Sequence, residues 1–129
     1  PSMLPRHDNP IWNGLACDDL SAMLITDGHH LTPELIKCAL RIKGVDKVIV
    51  VSDASPAAGL PPGKYQFLGV DAVLEPNGKF HCPERGCLAG SGVTMKQCMD
   101  YLSSLHLLSA AELEQVGYYN PLRLIGMIP

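Results

Sequence analysis

The sequence has little net charge and no long apolar stretch, which argues against two classes of protein. Its net charge is -3 and its pI is near 5.9, so it has no basic footprint for nucleic acid. No apolar run approaches the roughly 18 residues of a membrane helix. The first residues, around Arg6, lack the apolar core of a signal peptide. We therefore expect a cytoplasmic protein with no nucleic-acid or membrane partner.

The sequence also lacks an even cysteine count, since it has five. Without a signal peptide, an odd count favours free thiols over a disulfide framework. Its 129 residues, 47% of them hydrophobic, suffice for one domain with a buried core. Because it opens on Pro1 and closes on an apolar Ile128-Pro129 end, we expect residues 1–129 to be a single partial domain cut from a longer chain.

An uninterrupted run of β-branched apolar residues, Val48–Val51, predicts a strand that is buried on both faces. Asp53 follows shortly after this run, so its carboxylate lies at the carboxyl end of the strand. Parallel α/β folds and barrels place their active sites at this end. The alternative is that Asp53 only caps the next turn.

A second apolar run, over residues 22–26, predicts another buried strand, and Asp27, Gly28, His29 and His30 follow it. Adjacent histidines point in different directions on most backbones, so they do not form the two-histidine metal pair of a helix. A histidine beside a carboxylate at a strand end is a candidate site residue, with a structural role as the alternative.

The segment between the two runs predicts a helix that has Thr32 as N-cap, a proline at its first position and Gly44 as C-cap. Its predicted apolar stripe consists of Leu35, Ile36, Ala39, Leu40 and Ile42. Strand, helix and strand then form one right-handed unit with parallel strands. Asp27, His30 and Asp53 are therefore expected at the same edge of the sheet.

The middle of the chain predicts a β-hairpin insertion. Residues 65–80 alternate loosely in polarity, and the dipeptide at residues 77–78, Asn-Gly, is typical of a hairpin turn. Residues 81–87 contain one histidine and two cysteines, which raises the alternative of a zinc site. The cysteine spacing is loose and no second Cys/His pair follows, so the end of a surface hairpin is the favoured interpretation.

A loop of small residues, 88–92, precedes a predicted helix that runs from Val93 to about Leu105. Backbone N–H groups of such a loop can hold an anion, although this loop matches no phosphate-loop pattern. Ser109 begins a capping box, and Asn120, which precedes a proline, begins a further short helix.

Three motifs, at residues 27–30, 51–54 and 88–95, resemble in order and spacing those of N-acetylglucosamine-6-phosphate deacetylases of the amidohydrolase superfamily. The closing Asn120-Pro121 also matches, and the likeness covers nearly the whole chain. Members of that family are (β/α)8 barrels. The resemblance implies an α/β fold, the C-terminal segment of a TIM-type barrel, with its last two parallel strands and helices plus a β-hairpin insertion.

The resemblance also implies site residues. Asp53 matches the catalytic aspartate, which takes a proton from the attacking water and passes it to the leaving amine. His30 matches a histidine that contacts the phosphorylated sugar. Arg6 lies where the family has an arginine that reaches the sugar phosphate in the neighbouring subunit. The family's loop over the sugar corresponds here to Leu88, Ala89 and Ser91.

The resemblance further implies a divalent metal of the zinc or iron class in the full-length parent. The family's metal ligands, one Glu and two His, lie on earlier strands, so no metal is expected in this chain alone. We expect a hydrolase that removes the acetyl group from an N-acetylated amino sugar phosphate, as a homodimer. The residues that follow Arg6 differ from the family's motif, and Ala89 stands where the family's loop has a serine. The alternative is a non-catalytic α/β fragment that acts as an association or binding piece.

Overall fold

The computed structural model describes residues 9–129. In this part of the chain the regular elements are α1 (Pro10–Ala16), β1 (Ala22–Ile25), α2 (Pro33–Lys43), β2 (Val48–Val51), β3 (Gly63–Phe67), β4 (Val70–Leu74), β5 (Phe80–Cys82), β6 (Cys87–Leu88), α3 (Met95–Ser104), α4 (Ala110–Glu114) and α5 (Asn120–Leu124). A 3-10 turn (Val45–Lys47) precedes β2, and a π-helical turn (Gln115–Tyr119) joins α4 to α5.

Strands β1 and β2 are parallel neighbours, joined by α2, as the sequence predicts. Their register pairs Ala22 with Val48. Helix α2 begins where the Thr32 hydroxyl accepts a hydrogen bond from a first-turn amide, and it ends at Gly44, whose φ is 73°. The carboxyl ends of both strands therefore lie at one edge of this sheet.

The first core lies between this sheet and the helices. It contains Leu24, Val48 and Val50 from the strands, Ile36 and Ala39 from α2, and Val93, Cys98, Leu102 and Val116 from the C-terminal part. The predicted stripe on α2 is wrong for Leu35 and Ile42, which are exposed. These two lie seven positions apart, on a flank of the helix about 110° away from the fully buried Ile36.

A second sheet, β3-β4-β5-β6, is antiparallel throughout and contains the predicted hairpin. It covers a second core, which consists of Ala57, Ala72, Leu74, Phe80, Cys82 and Ala89. A turn at Asn77-Gly78 separates β4 from β5, as predicted. Leu68 and Gly69, with φ values of 50° and 76°, form the turn between β3 and β4, which the sequence analysis did not predict because leucine is a poor residue for positive φ.

Helices α3 and α4 begin at side-chain caps. Thr94 and Gln97 form a capping box for α3, which therefore begins two residues later than predicted, and Ser109 forms the predicted box for α4. Asn120 is 4% exposed, and its side-chain amide donates to the carbonyls of Val45 and Val48, 2.7 Å away in each case. These bonds attach α5 to the start of β2.

None of the described helices is long and apolar enough to cross a bilayer.

Candidate active site

Asp27 lies two residues after the end of β1 and is the centre of a buried polar cluster. Its Oδ1 accepts the backbone N–H groups of His29 and His30, each at 2.9 Å. Its Oδ2 lies 2.8 Å from His30 Nδ1 and accepts the Ser91 hydroxyl at 3.0 Å. The Asp27 side chain is 1% exposed, whereas that of His30 is 20% exposed. Four hydrogen bonds thus satisfy both oxygens of a carboxylate that water hardly reaches.

The pKa of Asp27 reflects two opposing effects. Burial raises it, but the hydrogen bonds from His30, His29 and Ser91 together lower the pKa below its ordinary value. Asp27 is therefore ionised near neutral pH and can only accept hydrogen bonds. His30 must donate from Nδ1, which leaves its Nε2, to which no described residue bonds, free for a ligand.

Ser91 connects the two strand ends. Its hydroxyl donates to Asp27, while its backbone N–H donates to the Asp53 carbonyl at 2.9 Å. Its own carbonyl accepts the N–H of Ser55 at 2.8 Å, and Ala54 and Ser91 form an isolated parallel bridge. The loop after β6 therefore lies beside the continuation of β2. Ser91 thus bonds to the Asp27 carboxylate and to the Asp53 backbone at the same time.

Asp53 differs from Asp27 in its surroundings. It is exposed, and no described residue donates a hydrogen bond to its carboxylate. Its φ is 47°, in the left-handed region that costs most residues with a side chain roughly 1–2 kcal/mol, and aspartate less. Such strain persists where the surrounding structure imposes it, and it is concentrated at functional sites. Here the bonds to Ser91 hold the Asp53 backbone while its carboxylate remains available.

Gly90 allows the close approach of the loop to Asp53. Its φ is 76°, and a Cβ at this position would lie 3.2 Å from the Asp53 carbonyl oxygen and 3.7 Å from Asp53 Oδ2. A side chain here would press on the backbone that holds the carboxylate. The absence of a Cβ therefore keeps the space beside Asp53 open.

Two further predicted site residues, Leu88 and Ala89, shortly precede Ser91 in the chain. Leu88 is half-buried at the end of β6, and Ala89 is buried, with its N–H bonded to the Phe80 carbonyl at 3.0 Å. Arg6 lies outside the described residues. The substrate contacts predicted for these residues, and for Ser91 and His30, stay predictions.

The sequence analysis missed the role of Asp27 as the acceptor that links His30 to Ser91. The local signal was present: an Asp followed two and three residues later by backbone N–H groups is typical of an Asx-type turn, and Gly28, with a φ of 79°, permits it. The contact with Ser91 spans 64 residues, so no local pattern indicates it.

Within residues 9–129, no group of three or more His, Cys, Asp or Glu side chains is placed to hold a metal ion. The residues at 81–87 instead form the end of a hairpin, since Cys82 on β5 pairs with Cys87 on β6. That confirms the hairpin interpretation of this segment. Asp27 is already bonded to His30 and Ser91, and Asp53 has no other described carboxylate or histidine bonded to it.

A parallel β-α-β unit with a histidine-carboxylate pair at one strand end and an exposed aspartate at the next defines an α/β protein with its site at the strand ends. No protein-family model matches the chain. Comparison with curated proteins and solved structures shows which α/β proteins the chain is similar to. Over nearly its whole length, the chain is similar in sequence and fold to N-acetylglucosamine-6-phosphate deacetylases.

Three comparisons describe the similarity to deacetylases of amino sugar phosphates. The chain is 34% identical over 106 residues, 82% of its length, to an N-acetylglucosamine-6-phosphate deacetylase of Lysinibacillus sphaericus. It is 28% identical over 125 residues to a putative N-acetylgalactosamine-6-phosphate deacetylase of Escherichia coli K12, covering 95% of this chain and 72% of the relative. An N-acetylglucosamine-6-phosphate deacetylase structure from Thermotoga maritima matches 89% of the chain with a TM-score of 0.81 and 30% identity.

The matches cover most of this chain but only part of most relatives. The chain spans 27% of the Lysinibacillus sphaericus relative and 31% of the Thermotoga maritima chain.

Proposed function

We propose that this chain is the C-terminal segment of a (β/α)8-barrel deacetylase that removes the acetyl group from an N-acetylated amino sugar phosphate in amino sugar metabolism. In this proposal β1 and β2 are the last two barrel strands. Their parallel pairing and the polar residues at their carboxyl ends support it. The similarity to deacetylases of N-acetylglucosamine-6-phosphate and N-acetylgalactosamine-6-phosphate supports the substrate class.

Asp53 carries the proposal. It is exposed, it has no hydrogen-bond donor among the described residues, and its backbone is held at a φ of 47° by the contact with Ser91. A carboxylate so placed can accept a proton from the water that attacks the acetyl carbonyl and return it to the amine that leaves. This assistance matters because an amide has a poor leaving group until its nitrogen is protonated.

His30 has a binding role in this proposal. Asp27 accepts a hydrogen bond from the Nδ1–H of His30, and this bond fixes both the orientation of the ring and its tautomer. The free Nε2 can then accept a hydrogen bond from a ligand, and a hydroxyl of the phosphorylated sugar can donate it. Leu88, Ala89 and Ser91 would form the loop beside the same sugar.

The described residues do not form a metal centre by themselves. A divalent ion of the zinc or iron class would be held by residues of the full-length parent outside residues 9–129. Such an ion supplies Lewis acidity to an amide hydrolase. The proposal therefore assigns this chain the acid-base group and part of the sugar site, with the parent acting as a homodimer.

Arg6 provides a test of the substrate class. If its guanidinium contacts a phosphate in the neighbouring subunit, Arg6→Ala in the full-length protein removes a charge-assisted hydrogen bond worth roughly 1.5–3 kcal/mol. KM for N-acetylglucosamine-6-phosphate should rise by about tenfold to a hundredfold, while the constants for unphosphorylated N-acetylglucosamine change little. Steady-state assays of acetate release measure both. An equal loss on both substrates would assign Arg6 a structural role.

The exposed apolar side chains favour a second candidate, a binding role without catalysis. Met23 on β1 is 60% exposed, and within the described residues β1 pairs only with β2. Acetate release from neither sugar phosphate by the full-length protein would favour this candidate over the deacetylase.

A further inference from the structure

Gly28, in the turn that carries His30, has an aromatic ring over its α-carbon. Its φ is 79°, and a Cβ at this position would lie 3.1 Å from Cε2, 3.4 Å from Cζ and 3.5 Å from Cδ2 of Tyr101. The ring therefore occupies the space into which a side chain at position 28 would project. Any other residue here would have to displace the ring as well as adopt a disfavoured backbone conformation. Tyr101 on α3 thus contacts the centre of the turn of residues 27–30.

A second contact from the same helix supports this end of β1. The Thr26 hydroxyl donates to the Cys98 carbonyl at 2.9 Å, and Thr26 is fully buried. Cys98 and Tyr101 lie three positions apart on α3, so they are neighbours on the surface of the helix. Helix α3 therefore holds residue 26 with a hydrogen bond and residue 28 with a ring. Asp27, between them, accepts a hydrogen bond from Ser91 in the loop that precedes the same helix.

The conformation of this turn decides where the His30 ring lies. Asp27 Oδ1 accepts the backbone N–H groups of His29 and His30, and its Oδ2 accepts from Nδ1 of His30. All three hydrogen bonds require residues 27–30 to keep one conformation, and glycine is the residue with the most backbone freedom. The Tyr101 ring limits that freedom at Gly28, where the turn has no side chain of its own.

We propose that Tyr101 is a positioning residue for His30 and that it acts by packing its ring on Gly28. Ring carbons make this contact, and no described residue forms a hydrogen bond with the Tyr101 hydroxyl. The ring rather than the hydroxyl therefore carries the role. Tyr101 is half-buried and also packs against the first core, so a test must separate positioning from packing. The binding function of His30 rests on the proposed deacetylase activity, whereas the support of the turn by Tyr101 does not.

Hydrogen exchange in the full-length protein tests the contact without reference to activity. Tyr101→Leu removes the ring but keeps an apolar side chain beside the core, whereas Tyr101→Phe keeps the ring. Peptides that span residues 27–30 should exchange about tenfold faster in Tyr101→Leu, because the turn opens more often, and at the unmodified rate in Tyr101→Phe. Peptides of β2 should exchange as in the unmodified protein, which verifies folding. Tyr101→Met, which fills more of the ring's volume, replaces the leucine variant if that variant does not fold.

Kinetics of the full-length protein test whether Tyr101 acts through His30. Tyr101→Leu should raise KM for N-acetylglucosamine-6-phosphate by about threefold to tenfold with kcat little changed, because a hydrogen bond to the bound substrate is weakened. In a His30→Ala background the same substitution should raise KM no further, since the ring that Tyr101 orients is absent. Tyr118→Leu is the matched control. Tyr118 is an exposed tyrosine of the π-helical turn, and its replacement should leave KM unchanged.

Two results would overturn the proposal. One is exchange of residues 27–30 at the unmodified rate in the leucine or methionine variant, which would mean that the ring does not hold the turn. The other is a KM that is unchanged in this variant, or that rises equally with and without His30, which would leave Tyr101 only a packing role. If the unmodified protein releases no acetate, the deacetylase proposal fails, and the exchange result alone decides whether Tyr101 holds the turn.

Discussion

At the scale of single residues, Asp27 sets the geometry of His30. Asp27→Asn keeps the side-chain shape but replaces one accepting oxygen by an NH2 group, which cannot accept from His30 or Ser91. Leaving a buried donor unsatisfied costs about 1–3 kcal/mol. We expect the free energy of unfolding in urea to fall by this amount at pH 7. Asp18→Asn, at an exposed carboxylate, should change it little.

The same substitution should alter the pH dependence of stability. Because the pKa of Asp27 is lower in the folded chain than its ordinary value of 3.8, the unfolded chain binds this proton more readily. The stabilisation that ionised Asp27 contributes is fully present when the pH is above the ordinary pKa of 3.8. It is lost as the pH falls through the lower pKa of Asp27 in the folded chain. Urea titrations from pH 7 to below pH 3.8 should show a smaller loss of stability for Asp27→Asn than for the unmodified chain. An identical slope would contradict this role.

At the scale of elements, the loop after β6 must approach Asp53 closely. Gly90→Ala forces alanine into a positive φ, at a cost of roughly 1–2 kcal/mol, and also places its Cβ 3.2 Å from the Asp53 carbonyl oxygen. Gly86→Ala is the matched control, since Gly86 also has a positive φ but nothing within 4 Å of its added Cβ.

The two glycine variants should therefore differ. Both should be less stable in urea than the unmodified chain, and Gly90→Ala should be the more destabilised. In the full-length protein only Gly90→Ala should lower kcat, because only it displaces Asp53. Equal kcat values for the two variants would mean that the loop does not position this carboxylate.

Elements with local signals were predictable from the sequence. Helix α2 has a capping threonine, a first-turn proline and a C-terminal glycine, and each lies within a few residues of the end it defines. The turn at Leu68 was not predictable in this way, because the two-residue hairpin between the paired Phe67 and Val70 requires a positive φ of a residue that disfavours it. The exposure of Ile42 was missed because its hydrophobicity alone does not show which flank of the helix meets the sheet.

At the scale of the whole molecule, open strand edges should promote association. Within residues 9–129 the parallel sheet has two strands, too few to close a barrel, and Met23, Trp12 and Ile125 are exposed apolar side chains. Sedimentation of the isolated chain should show mass increasing with concentration. Met23→Glu, a charge on the exposed face of β1, should raise the monomer fraction. A monodisperse, cooperatively melting monomer would contradict this expectation.

The candidate site was predictable only in part at this scale. The apolar runs and the intervening helix placed Asp27, His30 and Asp53 at one edge, because parallel strands joined by one helix leave no other arrangement. The link through Ser91 was not predictable, since it joins residues 64 positions apart. Only the folded antiparallel sheet, with β6 leading into the loop, brings Ser91 to both strand ends.

The most direct test of the account is the kcat of Asp53→Asn in the full-length protein, with Asp18→Asn as the control. The asparagine keeps the shape but cannot accept a proton, so kcat for acetate release from N-acetylglucosamine-6-phosphate should fall by roughly 10²–10⁴-fold. KM and bound metal should change little, because the lost interaction belongs to the transition state. A kcat close to that of the unmodified protein, or loss of the metal, would contradict the acid-base role assigned to Asp53.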